Sequence, residues 1–510
     1  MFDFLKRKKV EMDKGSACAS LTPAYIFAHD MVLQQNKKVY VYGGGICGRK
    51  VTVSFNGQVK SGKVDKAGFW KVALSPMAAN SIGQDLTITD GETTIVYNGV
   101  LVGEVWFCSG QSNMDYPMGW LLVDRKETEL PYEQTVLKDY TRYENWDKIR
   151  IYKQEFFPAD KPSVWGIKSA LTEKSWCKPS ELKDVMPHSA YAVGFALRLQ
   201  EILKIPVGVV VCAVGGSSIE EWLANETIEK NHLTLHYTAE TKPHSKLYNG
   251  MAYPLNDYAV NGFLWYQGCA DCGEESSKHW RKDMIALAAQ FRKAHGNVPF
   301  ISQSLVQYAE GVPFRFIREI NYNLSKEIKD FYPVNGIAAG IPYDNIESEG
   351  FTNFIHPGDK YGVSRDAAEI AATNVYKKSG YNDVAEYPVV AVKTGAGIEI
   401  RFKAGVELKL SEDAYVHNLE GFDGRDWSLI ENATVADNVI LIPNGCYEKV
   451  RYACYNVMMP TATEASRWEG KPFHVTYNSE QRVNLYSKKD GCSDLAITPF
   501  IGMDVKENTL

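Results

Sequence analysis

From Val100 onward the chain alternates two kinds of segment, and this alternation constrains its fold more than any other feature. Near-continuous apolar runs, "VLVGEVWFCSG", "PVGVVVCAVGG", "NGFLWYQG", "PFISQSLVQY" and "NGIAAGI", are separated by longer amphipathic stretches. A strand that is apolar on both faces must be covered on both faces. The runs therefore predict an α/β domain with a parallel sheet packed between helices. Residues 188–205 space Val193, Leu197, Leu199 and Leu203 as a helix does. Residues 279–295 carry Met284, Leu287, Ala288 and Phe291 on one helical face.

The flanking sequence has another rhythm. Between about residues 20 and 100, short runs such as "KKVYVYGGG", "KVTVSFNGQ", "GFWKVAL" and "DLTITDG" are punctuated by Gly, Asn and Asp. This is the pattern of a small β-sandwich. Strand-like runs return from about residue 385, in "YPVVAVKTG", "GIEIRFKAG", "VELKLSE", "NVILIP" and "KVRYACYN". Four regions follow: an N-terminal β-sandwich region over 20–100, an α/β domain over 101–380, a β-rich region over 381–480 and a polar tail over 481–510. A chain of 510 residues is long enough for several cores. Residues 119–187 mix aromatics and charges with weak periodicity. They are expected to form long loops and short elements over the edge of the sheet.

With 56 basic and 62 acidic residues the chain carries a formal charge of −6. That excludes the basic excess usual in nucleic-acid binders. No apolar run approaches the roughly 18 residues of a membrane span. The N-terminal "MFDFLKRKKVEMDKGSACAS" starts basic but has no apolar stretch behind it. No secretory signal is read there, and a cytoplasmic location is expected. The ten cysteines are scattered, as free thiols would be. Cys269 and Cys272 form a lone C-x-x-C without a second pair at zinc spacing, so no metal is expected.

Ligands of open parallel sheets sit beyond the carboxyl ends of the strands. Three of the apolar runs end in small polar clusters: Ser109-Gly110-Gln111-Ser112-Asn113, Gly215-Gly216-Ser217-Ser218 and Gln267-Gly268. A serine at a tight strand-to-helix turn can present its hydroxyl, with backbone N–H groups nearby to receive negative charge. The G-x-S-x-G elbow is not matched, because Met114 stands at its last glycine. The alternative is that Ser112 caps a helix whose first turn holds Asp115. A serine nucleophile needs a base. His356 stands out in "FIHPGDKYGVSRDAAEIAA", where Pro357 keeps it out of a helix expected to start near Gly358-Asp359. His188, His244 and His279 have less distinctive settings.

Five segments, in order, resemble the sialate O-acetylesterase family, a branch of the SGNH/GDSL hydrolases that removes acetyl groups from sugars. They are "FAHDMVLQQNKKVYVYG", "VLVGEVWFCSGQSNMDYPM", "HSAYAVGFALRLQEILKIPVGVVVCAVGGSSIEEWL", "LYNGMAYPLNDYAVNGFLWYQG" and "IHPGDKYGVSRDAA". The likeness runs from about residue 24 to 475. It implies a three-layer α/β/α SGNH domain with a parallel sheet beside β-sandwich material. It implies Ser112 as nucleophile and His356 as general base. The oxyanion would be held by the N–H groups of Ser112 and Gly216 and the side-chain amide of Gln267, with Gln111 and Asn113 at the substrate. No cofactor or metal is implied, and the partner is an acetylated sugar.

Two positions depart from the family pattern. Many members carry a carboxylate where Cys269 stands, and an Asp where Phe354 stands. The third triad member is therefore open between Asp344, Asp359 and a backbone carbonyl. Two rival readings also stay open: an acetylesterase of plant polysaccharide such as xylan or mannan, and a non-catalytic carbohydrate-binding protein. Trp120, Tyr132, Tyr140, Tyr143, Trp146 and Trp165 are the aromatics available to stack on a sugar ring. The oligomeric state is not readable.

Overall fold

The computed structural model describes residues 20–124, 127–165, 176–238, 240–306, 314–336, 355–358, 360–411, 414–454, 484–488 and 495–507. The chain divides into two compact units. The first comprises Met1–Met118, Tyr140–Gln267 and Lys282–Phe300; the second comprises Gly119–Asp139, Gly268–Arg281 and Ile301–Leu510. No helix among the described residues is long and apolar enough to cross a membrane.

The strands of the first unit are β1 (Thr22–Pro23), β2 (Val32–Gln34), β3 (Val39–Gly44), β4 (Lys50–Phe55), β5 (Gln58–Lys63), β6 (Phe69–Leu74), β7 (Asn80–Thr89), β8 (Thr94–Gly110), β9 (Ile149–Lys153), β10 (Val207–Ala213) and β11 (Gly262–Tyr266). The organising strand is β8. Its residues up to Gly99 alternate exposure while paired antiparallel with β7, and from Val100 all are buried. Over that second stretch it runs parallel to β2, β10 and β11. The result is a large mixed sheet that joins β4, β5 and β7 to the α/β core, while β1, β3 and β6 form a separate three-stranded sheet. The boundary expected near residue 100 thus falls inside one strand. Gly99 sits at that point with φ +73 in the left-handed region, where a β-carbon would lie 2.5 Å from Asp30 Oδ1.

Aromatic packing fills the apolar half. Trp106 meets Phe195 edge-on at 5.0 Å, and Phe107 meets Phe263 at 5.2 Å and Phe291 at 5.6 Å. Phe195 lies on the helix Ala190–Leu203, close to the predicted span. Ser189 starts that helix by accepting the Ala192 N–H at 3.0 Å. Lys204 closes it in the left-handed region. Residues 119–187, expected as long loops and short elements, contain among the described residues one strand of the sheet: β9 pairs in parallel with β10. Tyr140, Tyr143 and Trp146 are buried, so they pack the protein and are withdrawn as sugar platforms.

The second unit holds β12 (Phe300–Gln303), β13 (Phe331–Val334) and the helices spanning Phe314–Glu327 and Lys360–Asn374. The strand expected in "NGIAAGI" is preceded by β13, and residues 337–341 lie outside the described residues. Further along, β14 (Val390–Thr394), β15 (Gly397–Arg401), β16 (Glu407–Leu410), β17 (Leu419–Phe422), β18 (Trp427–Leu429), β19 (Thr434–Ala436), β20 (Val439–Pro443) and β21 (Lys449–Tyr452) follow in sequence. The stretch expected to be a tail supplies β22 (Leu485–Lys488), β23 (Leu495–Ala496) and β24 (Phe500–Lys506). This corrects the tail: β24 lies inside an eight-stranded sheet of order β18-β17-β21-β24-β14-β15-β20-β19. Its Phe500 joins a core with Ile398, Ile400, Ile440, Ile442 and Val450.

Candidate active site

Ser112 sits where β8 ends and a four-residue helix, Ser112–Asp115, begins. The geometry is set by Gly110. At φ +137 it occupies a conformation that L-residues avoid, and a β-carbon there would lie 2.2 Å from the Tyr266 carbonyl oxygen. The close approach lets the Gln111 N–H donate to Tyr266 O at 2.9 Å, so the turn is fastened to the end of β11. Gln111 is the residue before the helix, and its carbonyl accepts from the N–H groups of Met114 and Asp115. Ser112 is therefore the first helical residue and not the cap. Its side chain is half-buried, whereas Gln111 and Asn113 are each 2% exposed. Those two frame the turn from within.

The Gly215-Gly216 turn after β10 lies against the same serine. The Val214 N–H donates to Gly110 O at 3.1 Å, and a β-carbon on Gly215 would stand 3.6 Å from Ser112 Cβ. Gly216 has φ +73 and nothing within 4 Å of a β-carbon position, so its backbone is open on that side. Ser217 pins the turn by donating its hydroxyl to Val214 O at 2.9 Å while accepting from Trp222 Nε1 at 3.0 Å. Gln267, immediately after β11, donates one amide N–H to Ser217 O at 3.3 Å. An amide carries two such donors. The first unit thus gathers Ser112, Gly216 and Gln267 around the carboxyl ends of β8, β10 and β11.

His356 belongs to the second unit. It is half-buried on a loop, four residues before Lys360 opens the late helix, close to the expected position. Burial and the Lys360 charge lower its pKa to about 4. Asp344, Phe354 and Asp359 lie outside the described residues. Cys269 begins a short 3-10 turn, and no metal-binding cluster occurs among the described residues.

Sequence reasoning missed the charges beneath and beside the serine turn. Lys153, at the end of β9, forms an ion pair with Asp115 at 2.7 Å. Burial raises the Asp115 carboxyl, and Lys153 pulls it back down. His188 is buried close by, and burial, reinforced by Lys153, lowers its pKa to about 4. On the other side, Lys242 Nζ donates to Gly216 O at 2.5 Å. The "IRIYK" ending in a lysine was the available signal for the first pair; the loop around Lys242 offered none.

Residues 102–346 match the family model described as carbohydrate esterase, sialic acid-specific acetylesterase. That segment, a little under half of the chain, is similar to this family. The human sialate O-acetylesterase is 26% identical over 330 residues, covering 59% of this chain and 57% of the human protein. The rat sialate O-acetylesterase is 23% identical over 362 residues, covering 61% and 62%. The chain thus spans under two thirds of the length of these curated relatives. A carbohydrate acetylesterase from Xanthomonas citri shares the fold, with a TM-score of 0.73 at 21% identity, covering 94% of this chain and 98% of that one.

Proposed function

We propose that this chain is a serine esterase that removes O-acetyl groups from sugars, with O-acetylated sialic acids as its substrates. The observation that carries the reading is the turn at Ser112, fixed to β11 by Gly110 and flanked by the open Gly216 backbone and the Gln267 amide. The relatives' sialate O-acetylesterase activity supports the substrate. The reading includes the three-layer α/β/α SGNH arrangement with flanking β-sandwich material.

The mechanism is acyl transfer. His356 takes the Ser112 hydroxyl proton as Oγ bonds to the acetyl carbon. The carbonyl oxygen becomes an oxyanion, received by the N–H groups of Ser112 and Gly216 and the Gln267 amide. Each such donor is worth about 3–4 kcal/mol in a transition state of this kind. The bond to the sugar oxygen then breaks, and His356 returns the proton to that oxygen. Water, deprotonated by the same histidine, releases acetate and restores Ser112. Asp344 is assigned to orient the imidazole.

The test is acetate release by wild type, Ser112→Ala and His356→Ala from O-acetylated sialic acid, acetylated xylan and p-nitrophenyl acetate. Wild type is expected to act on the sialic acid ester, and both variants to lose at least ~10³-fold in kcat. A folded Ser112→Ala protein with wild-type turnover refutes the nucleophile. A preference for xylan moves the substrate to plant polysaccharide.

A further inference from the structure

The acetyl group is common to every substrate of such an esterase; what distinguishes a sialic acid is its carboxylate. The structure holds a cation beside the serine turn. Lys242 Nζ donates to the carbonyl oxygen of Gly216 at 2.5 Å, and Gly216 adjoins the residue that packs on Ser112. Its ammonium also stands 4.8 Å from the Tyr237 ring centroid. The hydrogen-bond partner is a neutral carbonyl, not a carboxylate, so the charge is held in place without being neutralised by that bond. An ammonium has three donors, and this contact uses one.

The loop carrying Lys242 is built, not merely draped. Glu220 is buried, and its carboxylate accepts the His236 N–H at 2.5 Å and the Tyr237 N–H at 3.4 Å. The Glu220 carbonyl accepts from the Ser245 N–H at 3.0 Å. Between these anchors the Lys242 N–H donates to Thr238 O at 3.0 Å, closing a turn. Both ends of the loop are therefore fastened to the 3-10 turn Ile219–Trp222, which begins after Ser217 and Ser218 that follow the Gly215-Gly216 turn. Glu221 feels the Lys242 charge, but its carboxylate is directed at the Ser218 N–H, which it accepts at 2.7 Å.

We propose that Lys242 is the specificity-determining cation of the site, pairing with the carboxylate of an acidic sugar whose acetyl ester is delivered to Ser112. This rests on the sialate reading above and deepens it. A carboxylate accepting from a placed ammonium forms a charge-assisted hydrogen bond, stronger than a neutral one.

The experiment compares two O-acetylated sialic acids that differ only at C1, the free carboxylate and its carboxamide, with acetate release read for both. Wild type is expected to favour the carboxylate about ten-fold in kcat/KM, largely through KM. Lys242→Met is expected to bring that ratio close to one, and Lys242→Arg to restore most of it. The ratio cancels whatever the lost Gly216 contact does to turnover. Raising the salt concentration is expected to shrink the wild-type ratio and leave the Met variant's unchanged. If wild type treats the two esters alike, or if Lys242→Met keeps the preference, the inference is overturned. The esterase reading falls only by a separate result: acetate release that survives Ser112→Ala, or none from any ester.

Discussion

Replacing Gly110 by alanine probes the turn that the proposed chemistry depends on. Two costs follow from the geometry. The first is conformational: at φ +137 an alanine is strained by about 1–3 kcal/mol. The second is steric. The new methyl would lie 2.2 Å from the Tyr266 carbonyl oxygen, a backbone atom that cannot swing away. Carbon–oxygen contacts settle near about 3.3 Å, so the turn and β11 must part by about 1 Å. That separation breaks the 2.9 Å bond from the Gln111 N–H to Tyr266 O and leaves a buried donor unpaired, a loss of about 1–3 kcal/mol. Together the destabilisation is about 2–6 kcal/mol. A displacement of this size at the nucleophile is also expected to lower kcat by about 10²-fold. Gly216→Ala is the control, because its φ of +73 brings a left-handed penalty of about 1–2 kcal/mol with no clash. Urea unfolding of both variants, with p-nitrophenyl acetate turnover, makes the comparison. Equal stability of the two variants, or wild-type turnover by Gly110→Ala, would refute the steric argument.

Three further outcomes are expected. Ser189→Ala removes the acceptor for the Ala192 N–H at the start of the helix Ala190–Leu203 and is expected to cost about 1 kcal/mol, read as a lower urea midpoint at unchanged slope. For pH, burial lowers both His188 and His295 from 6.5 to about 4. The unfolded chain then binds more protons than the folded one between those values. The contribution of these histidines is full above about pH 6.5 and is lost as pH drops toward 4, by an order of 3 kcal/mol per histidine at the limit. Urea midpoints at pH 7.5 and 5 check this, and His295→Gln is expected to flatten the pH dependence. His356 is expected to set an acidic limb of kcat/KM near pH 4, since burial and Lys360 lower it to about 4. Lys360→Met is expected to move that limb upward, and a wild-type limb at about 6.5 that Lys360→Met leaves in place would refute the lowering of His356 by burial and Lys360.

How far the sequence could be read depended on how locally each feature is determined. The turn at Ser112 and the Gly215-Gly216 turn were legible, because small residues after an apolar run have few structural explanations. The helices Ala190–Leu203 and Glu274–His295 were legible from their spacing, whereas Phe314–Glu327 was not read. β9 was not, because "IRIYK" looks like a half-exposed segment, while Arg150 in it is buried and donates to the carbonyls of Asp147 and Ile149. β24 was hidden by polar residues and by Gly502, with φ +67 in mid-strand. The change of pattern at Val100 misled in the opposite direction, reading as a boundary where β8 continues.

The charges around Ser112 were illegible for a different reason: they are tertiary pairings between residues remote in sequence. Two lysines flank the serine turn and are treated differently. Lys153 pairs with Asp115 at 2.7 Å, a bond between β9 and the short helix. Lys242 is tied to the neutral Gly216 carbonyl, so that bond orients its charge without cancelling it. Had both lysines been paired to carboxylates, the site would hold an acetyl ester of any sugar equally well. One cation bound to a carboxylate and one bound to a carbonyl make a turn that is held by an ion pair on one side and, in the proposal above, selective for an anion on the other.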